Sequence, residues 1–168
     1  MSKHKPNRPD KWYHGKYKPI NPDKYIGDIS DIIWRSKWEY NFCYYCDTEK
    51  RIKKWSCEPE KHHIPYDIME DGIYKKKIYI PDFWIEIKKP NGDIESIIIE
   101  IKPQKQVDEP KEPKNKTLKS LKNYDYDLRT YIQNLNKWEA ADKYCKKRHI
   151  SFYILTEKYF KNKQNKLF

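Results

Sequence analysis

The stretch 77–102, KIYIPDFWIEIKKPNGDIESIIIEIK, constrains the fold most, because apolar residues alternate with polar ones on both sides of a turn signal. It predicts two antiparallel strands, 78–89 and 94–102. The connection Lys89-Pro90-Asn91-Gly92-Asp93 suits a type I turn followed by a left-handed glycine, a three-residue loop with a bulge. That loop pairs Lys89 with Asp93 and, counting back, Asp82 with Glu100. Paired residues share a face and alternate residues return to it. Asp82, Glu100 and Lys102 then project from one side. Phe83, Ile85, Ile87, Ile97, Ile99 and Ile101 project from the other. A two-residue Asn-Gly turn would instead pair Asp82 with Ile101 and send the two carboxylates to opposite faces. The candidate site depends on the longer loop.

Two adjacent carboxylates repel unless a cation lies between them or one is protonated. Paired oxygen ligands suit a hard divalent cation such as Mg2+. Lys102 can orient an attacking water or stabilise charge developing on a phosphate. The competing reading is a half-solvated hairpin with ordinary surface charges.

The rest of the chain narrows the choice. Lys and Arg number 36 against 25 Asp and Glu, a net charge of +11, and aromatics reach 15%. A basic surface interleaved with aromatics suits nucleic acid, although an AT-rich genome also enriches Lys, Ile and Tyr. No apolar run approaches the length of a membrane span. The basic first ten residues lead into no apolar stretch, which argues against a secretory signal. Four cysteines without an export signal point to a reducing compartment.

In chain order, residues 1–27 read as an extended basic arm. Pro6, Pro9, Pro19 and Pro22 argue against a helix there, and Lys16 and Lys18 are candidate DNA contacts. Ser36 and Glu39 have capping-box spacing and predict a helix ending near Asp47 or Thr48. A short strand is expected over 52–58, a loop over 59–72, and a strand over 73–80 running into the hairpin. Pro81 needs a place without a ladder donor. Residues 103–122 read as a charged surface loop, with Lys105 beside the proposed site. A helix is expected over about 123–148, carrying Asn134 and Lys137 on the flank of its apolar stripe, and then a strand over 150–155. Strand, helix and strand in this order favour a parallel pair. The tail 158–168 is basic. The expected fold is one α/β domain over 28–157, a mixed central sheet with the order α-β-β-β-α-β.

Cys43-x-x-Cys46, with Cys57, His62 and His63 downstream, makes a zinc site conceivable. The Cys pair falls within the first predicted helix, so buried thiols are the default expectation.

Glu39 on the first helix, Asp82 on one strand and Glu100-Ile101-Lys102 on the next resemble the PD-(D/E)xK nuclease superfamily. More narrowly, GKYKPINPDKYIGD (15–28), IIWRSKWEYNF (32–42), IYIPDFWIEI (78–87), IIIEIKPQKQ (98–106), NKWEAADKYCKKR (136–148) and FYILTE (152–157) resemble the head completion nucleases of T-even-type phages. A transposon end-cleaving subunit of the same superfamily has similar segments. The resemblance implies a restriction-endonuclease-like core and metal-dependent hydrolysis of DNA phosphodiesters. Asp82, Glu100, the Ile101 carbonyl and Glu39 would hold Mg2+, with Mn2+ as a substitute. Lys102 would position or activate water, and Asn134 or Lys137 would meet the scissile phosphate. The implied setting is the host cytoplasm during assembly, or the virion, with double-stranded DNA and head or portal proteins as partners. The competing functions are a non-catalytic DNA-binding head protein and an RNA-binding module.

Overall fold

The computed structural model describes residues 14–161. Strands β1 (Gly15–Lys16) and β2 (Ile33–Trp34) pair antiparallel and lead into α1 (Lys37–Thr48). Next come β3 (Ile52–Cys57), β4 (Ile64–Glu70), β5 (Ile73–Tyr79), β6 (Phe83–Lys88) and β7 (Ile94–Ile101). A short α2 (Gln104–Val107), the 29-residue α3 (Leu118–Lys146), β8 (Ser151–Leu155) and α4 (Glu157–Lys161) complete the described residues. The central sheet has the order β3-β6-β7-β8. Its strands run antiparallel except for the parallel β7–β8 pair that closes the crossover through α3.

The hairpin takes the register of the longer loop. Phe83 lies opposite Ile99 and Lys88 opposite Ile94. Lys89 N–H donates to Asp93 O at 2.8 Å, and Gly92 N–H to Lys89 O at 2.9 Å. Gly92 has φ of 95°, the left-handed conformation that a side chain would strain. One face of the sheet buries Phe83, Ile85, Ile87, Ile97, Ile99 and Ile101 with Trp55, Phe42 and Ile32. The other buries Ile98 with Ile64, Tyr66, Tyr79, Ala141 and Cys145, beneath α3 and the β4–β5 ribbon. Glu100 follows Ile98 by two residues, so it points to the α3 side.

Helix α1 starts where the capping box puts it: the Ser36 hydroxyl oxygen accepts from Glu39 N–H at 3.1 Å. Near its other end, Asp47 is fully buried. Its carboxylate accepts from the Tyr17 hydroxyl at 2.8 Å and from Ile20 and Asn21 N–H at 2.6 and 2.9 Å. Lys24 Nζ donates to the carbonyls of Cys46, Asp47 and Glu49 at the helix C-terminus, where a cation is favoured. Residues 14–27, expected as part of an extended arm, are thereby folded onto the core, with Tyr17 and Tyr25 buried. Residues 1–13, the remainder of that arm, lie outside the described residues.

Three further expectations are corrected. The strand over 73–80, expected to lead into the hairpin as one long bent strand, is separate from it, because β5 ends at Tyr79 and Pro81 cannot donate to a ladder. The loop expected over 59–72 contains β4, which pairs with β5 through a tight turn where Asp71 and Gly72 both have positive φ. The loop expected over 103–122 contains α2 and the first turn of α3. Thr117 caps α3 by accepting from Ser120 N–H at 3.2 Å, a polar signal that apolar periodicity does not reveal. At the far end, Tyr159 and Phe160 pack on the core, and Phe160 stacks on Trp38 with ring centroids 6.0 Å apart. Residues 162–168 of the expected tail lie outside the described residues.

Removing Asp47 strands the Tyr17 hydroxyl and two backbone N–H groups. Asp47→Ala is expected to cost about 3 kcal/mol, read as a lower urea midpoint. Burial opposes the charged form of Asp47, but its hydrogen bonds hold the carboxyl below its ordinary range. Its stabilisation is therefore full above the unfolded value and lost as pH falls through the folded one. The gap between wild type and variant should close in acid.

Candidate active site

Asp82 sits in the break just before β6, and its backbone and side chain are both fixed. Its carbonyl accepts from Glu58 N–H at 2.9 Å, and Glu58 itself has φ of 46°. Its Oδ2 accepts from Ile101 N–H at 2.7 Å. The register puts Pro81 opposite Ile101. Lys102 N–H bonds to Leu155 O on β8, so the N–H and carbonyl of its neighbour Ile101 turn the other way, toward β6. Pro81 has no N–H for that carbonyl. The Asp82 side chain and the Ile101 carbonyl therefore face one another across the end of the hairpin.

Glu100 is only 2% exposed. Its Oε2 accepts from the Tyr79 hydroxyl at 2.6 Å, and its Oε1 pairs with Lys102 Nζ at 2.8 Å. Burial and the nearby Glu100 charge push the Asp82 carboxyl up to about 8, against the opposing pull of Lys102 and Ile101 N–H. Burial alone would lower Lys102, but the charges of Asp82 and Glu100 outweigh it and hold the ammonium above its ordinary value. The direction of that shift favours the charged form of Lys102.

Lys137 projects from α3 toward the same place, its Nζ 5.9 Å from the centre of the Tyr79 ring. Burial lowers its pKa, with Glu100 and Asp82 pulling the other way. Asn134 is buried, and its Nδ2 reaches Gln106 O at 3.5 Å, tying α3 to α2. Lys105 is exposed on α2. Glu39 is near enough for its charge to act on Asp82 and Lys102. Its carboxylate, however, accepts from Arg35 N–H at 2.7 Å and from the Ser36 hydroxyl at 2.9 Å. Among the described residues, no group of three or more His, Cys, Asp or Glu side chains is gathered for a metal. Asp82 and Glu100 form a pair, and Glu39 remains at the helix cap. Lys16 and Lys18 are exposed on and beside β1, where Lys16 pairs with Asp31 at 2.9 Å.

A buried Glu100 and a half-buried Asp82, with the Ile101 carbonyl beside them and a raised Asp82 pKa, make a donor set that suits a hard divalent cation. Among the described residues, the thiols and histidines are not gathered into a ligand cluster. Cys43 and Cys46 are buried. The adjacent Cys57 thiol and burial raise the first, and burial raises the second. Cys57 donates to Ile33 O, and His62 bonds the Tyr144 hydroxyl. Tyr79 is the site residue that reading the sequence missed. It lies three residues before Asp82 on what looked like a continuous strand, and only the break at Pro81 turns it back over Glu100.

A sheet of this order flanked by helices, with Asp and Glu-x-Lys at the end of its central hairpin, defines a nuclease of the restriction-endonuclease-like fold. The chain belongs to the TnsA-like endonuclease N-terminal family, whose description matches residues 49–157. It is also 37% identical over 145 residues to the head completion nuclease of Enterobacteria phage T4, covering 86% of this chain and 91% of that protein.

A carboxyl with a raised folded pKa stabilises the fold below its unfolded value and loses that contribution as pH rises through the folded one. Without divalent cations, wild-type stability should fall between about pH 4 and 8. Asp82→Asn, which keeps an acceptor for Ile101 N–H, should flatten that slope. At pH 8 it should be more stable than wild type by on the order of 2 kcal/mol, measured by urea unfolding in chelator.

Proposed function

We propose that this protein is a divalent-cation-dependent deoxyribonuclease that cuts or trims packaged double-stranded DNA during completion of phage heads, before tails join. The observation that carries the chemistry is the hairpin register, which brings Asp82, Glu100, Lys102 and the Ile101 carbonyl to one point. The overlap with most of the T4 protein's length supports the setting, which would be the host cytoplasm during assembly, with head or portal proteins as partners. Among the described residues, no helix is long and apolar enough to cross a membrane.

Asp82, Glu100 and the Ile101 carbonyl would hold Mg2+, or Mn2+ in its place. A cation held by these groups would supply neutralisation of phosphate charge and activation of a water. The hydrogen bond from Tyr79 and the ion pair with Lys102 keep Glu100 in one orientation, so the site needs little rearrangement before reaction. Lys102, kept cationic by its two carboxylate neighbours, donates to the attacking water or to the phosphate oxygen on that side. Hydrolysis adds water across one P–O bond and leaves the fold unchanged. Lys137, at the mouth beside Tyr79, takes a phosphate of the bound strand. Lys105, Lys16 and Lys18 act on binding through counterion release. Asn134 acts from within, by holding α2 against α3. Glu39 supports the site through its charge and becomes a ligand only by leaving the cap.

A transposon end-cleaving role is the second reading, favoured by the name of the matched family.

Cleavage of plasmid and linear DNA by the purified protein tests the proposal. Cutting is expected with Mg2+ or Mn2+ and not with chelator. Asp82→Asn and Lys102→Ala should lower the rate at least about a hundredfold while DNA binding persists. Lys105→Ala should weaken binding and make it less sensitive to salt. Tight binding with no cutting under either metal would replace the enzyme reading with a DNA-binding head protein.

A further inference from the structure

Helix α3 has an occupied side and a side that is not. Asn134 reaches α2, Gln133 bonds the Tyr66 hydroxyl on β4, and Trp138, Ala141 and Cys145 are buried. On the remaining face stand Leu118, Leu121, Leu128, Ile132 and Leu135. None belongs to either core cluster. Leu118, Leu121, Ile132 and Leu135 are 81, 38, 44 and 43% exposed. With Asp125, these residues recur at alternating steps of three and four, the a and d positions of a heptad. Leucine fills each d position (121, 128, 135), and Leu118, Asp125 and Ile132 fill the a positions. Scattered single apolar residues on a surface need no explanation, but a regular stripe covering five turns does.

We propose that this stripe is a dimer seam, in which α3 packs antiparallel against α3 of a second copy of the chain. The stripe is complementary to itself in that arrangement. A two-fold axis between residues 126 and 127 sets Leu118 against Leu135, Leu121 against Ile132, and Leu128 against Asp125 of the other copy. Each residue of the stripe finds its counterpart, as an isologous interface requires. Charge selects the direction. A parallel pair would bury Asp125 against its own counterpart, a like-charge contact. The antiparallel pair brings Arg129 of one copy beside Asp125 of the other. Within one chain these two already pair at 2.9 Å, both exposed, so the cross-axis contact only redirects an existing ion pair. Arg129 also reaches Asp71 at 3.8 Å. The seam is about 27 Å long, at the small end of stable interfaces, so dissociation on the order of micromolar is expected.

Sedimentation equilibrium of the full chain over about 1 to 200 µM tests this. The mass should rise from 20.7 kDa toward twice that value. Leu121→Lys and Ile132→Lys change exposed positions, so circular dichroism should be unaltered while the dimer weakens at least about tenfold. Asp125→Arg should weaken it as well, and Asp125→Arg combined with Arg129→Asp should restore it. A mass of 20.7 kDa at every concentration would overturn the proposal. So would a dimer indifferent to the stripe variants, or a double charge swap that fails to restore pairing. The readout is mass, so it stands apart from whether the protein cuts DNA.

Discussion

The hydrogen bond from Ile101 N–H to Asp82 is the contact on which the site depends. It exists because the five-residue connection from Lys89 to Asp93 sets a register that puts Asp82 opposite Glu100. It exists also because Pro81 interrupts the ladder at that level. A shift of one residue would move every side chain of one strand to the other face. The isoleucines that fill one core would then point at α3, and the carboxylates would lie on opposite sides. Core packing and site geometry are thus set by one choice of register. The apolar face, worth about 25 cal/mol per Å² buried, defends the placement of groups that would not choose to lie together.

Those groups work against stability. Glu100 is buried beside an Asp whose carboxyl is pushed upward, and among the described residues Lys102 pairs with Glu100 alone. The surroundings supply the compensation: Tyr79, Ile101 N–H, Glu58 N–H, and Leu155 O on the parallel strand that fixes Lys102. Each contact comes from a different element. That accounts for the need for a parallel β8 and a ribbon β4–β5 around a two-stranded hairpin that already contains the reactive residues.

Much of this was legible in the sequence, and the reasons are local. Asn91-Gly92 after a proline, and Ser36 three residues before Glu39, are chemical signals acting over a few residues. The loop and the helix start both follow from them. The alternation through 83–101 identified the core face, and the parallel pairing of β8 followed from the crossover rule. The illegible parts depend on distant partners. β4 looked like a loop because Pro65 and two histidines mask its alternation, and only pairing with β5 makes it a strand. Residues 14–27 looked like an arm because nothing in their own period shows that Asp47, 26 to 30 residues beyond Tyr17, Ile20 and Asn21, binds three of their donors. Tyr79 carried no signal until the chain broke at Pro81. Glu39 was legible twice, as a cap and as a site acid, and the structure places its carboxylate at the cap.

Anomalous scattering from crystals soaked in Mn2+ tests the central assignment most directly. One peak is expected within bonding distance of Asp82, Glu100 and the Ile101 carbonyl, absent from crystals of Asp82→Asn. A peak at the thiols and histidines instead, or no peak at this pair under conditions that support cutting, would contradict the placement of the active site at the end of the hairpin.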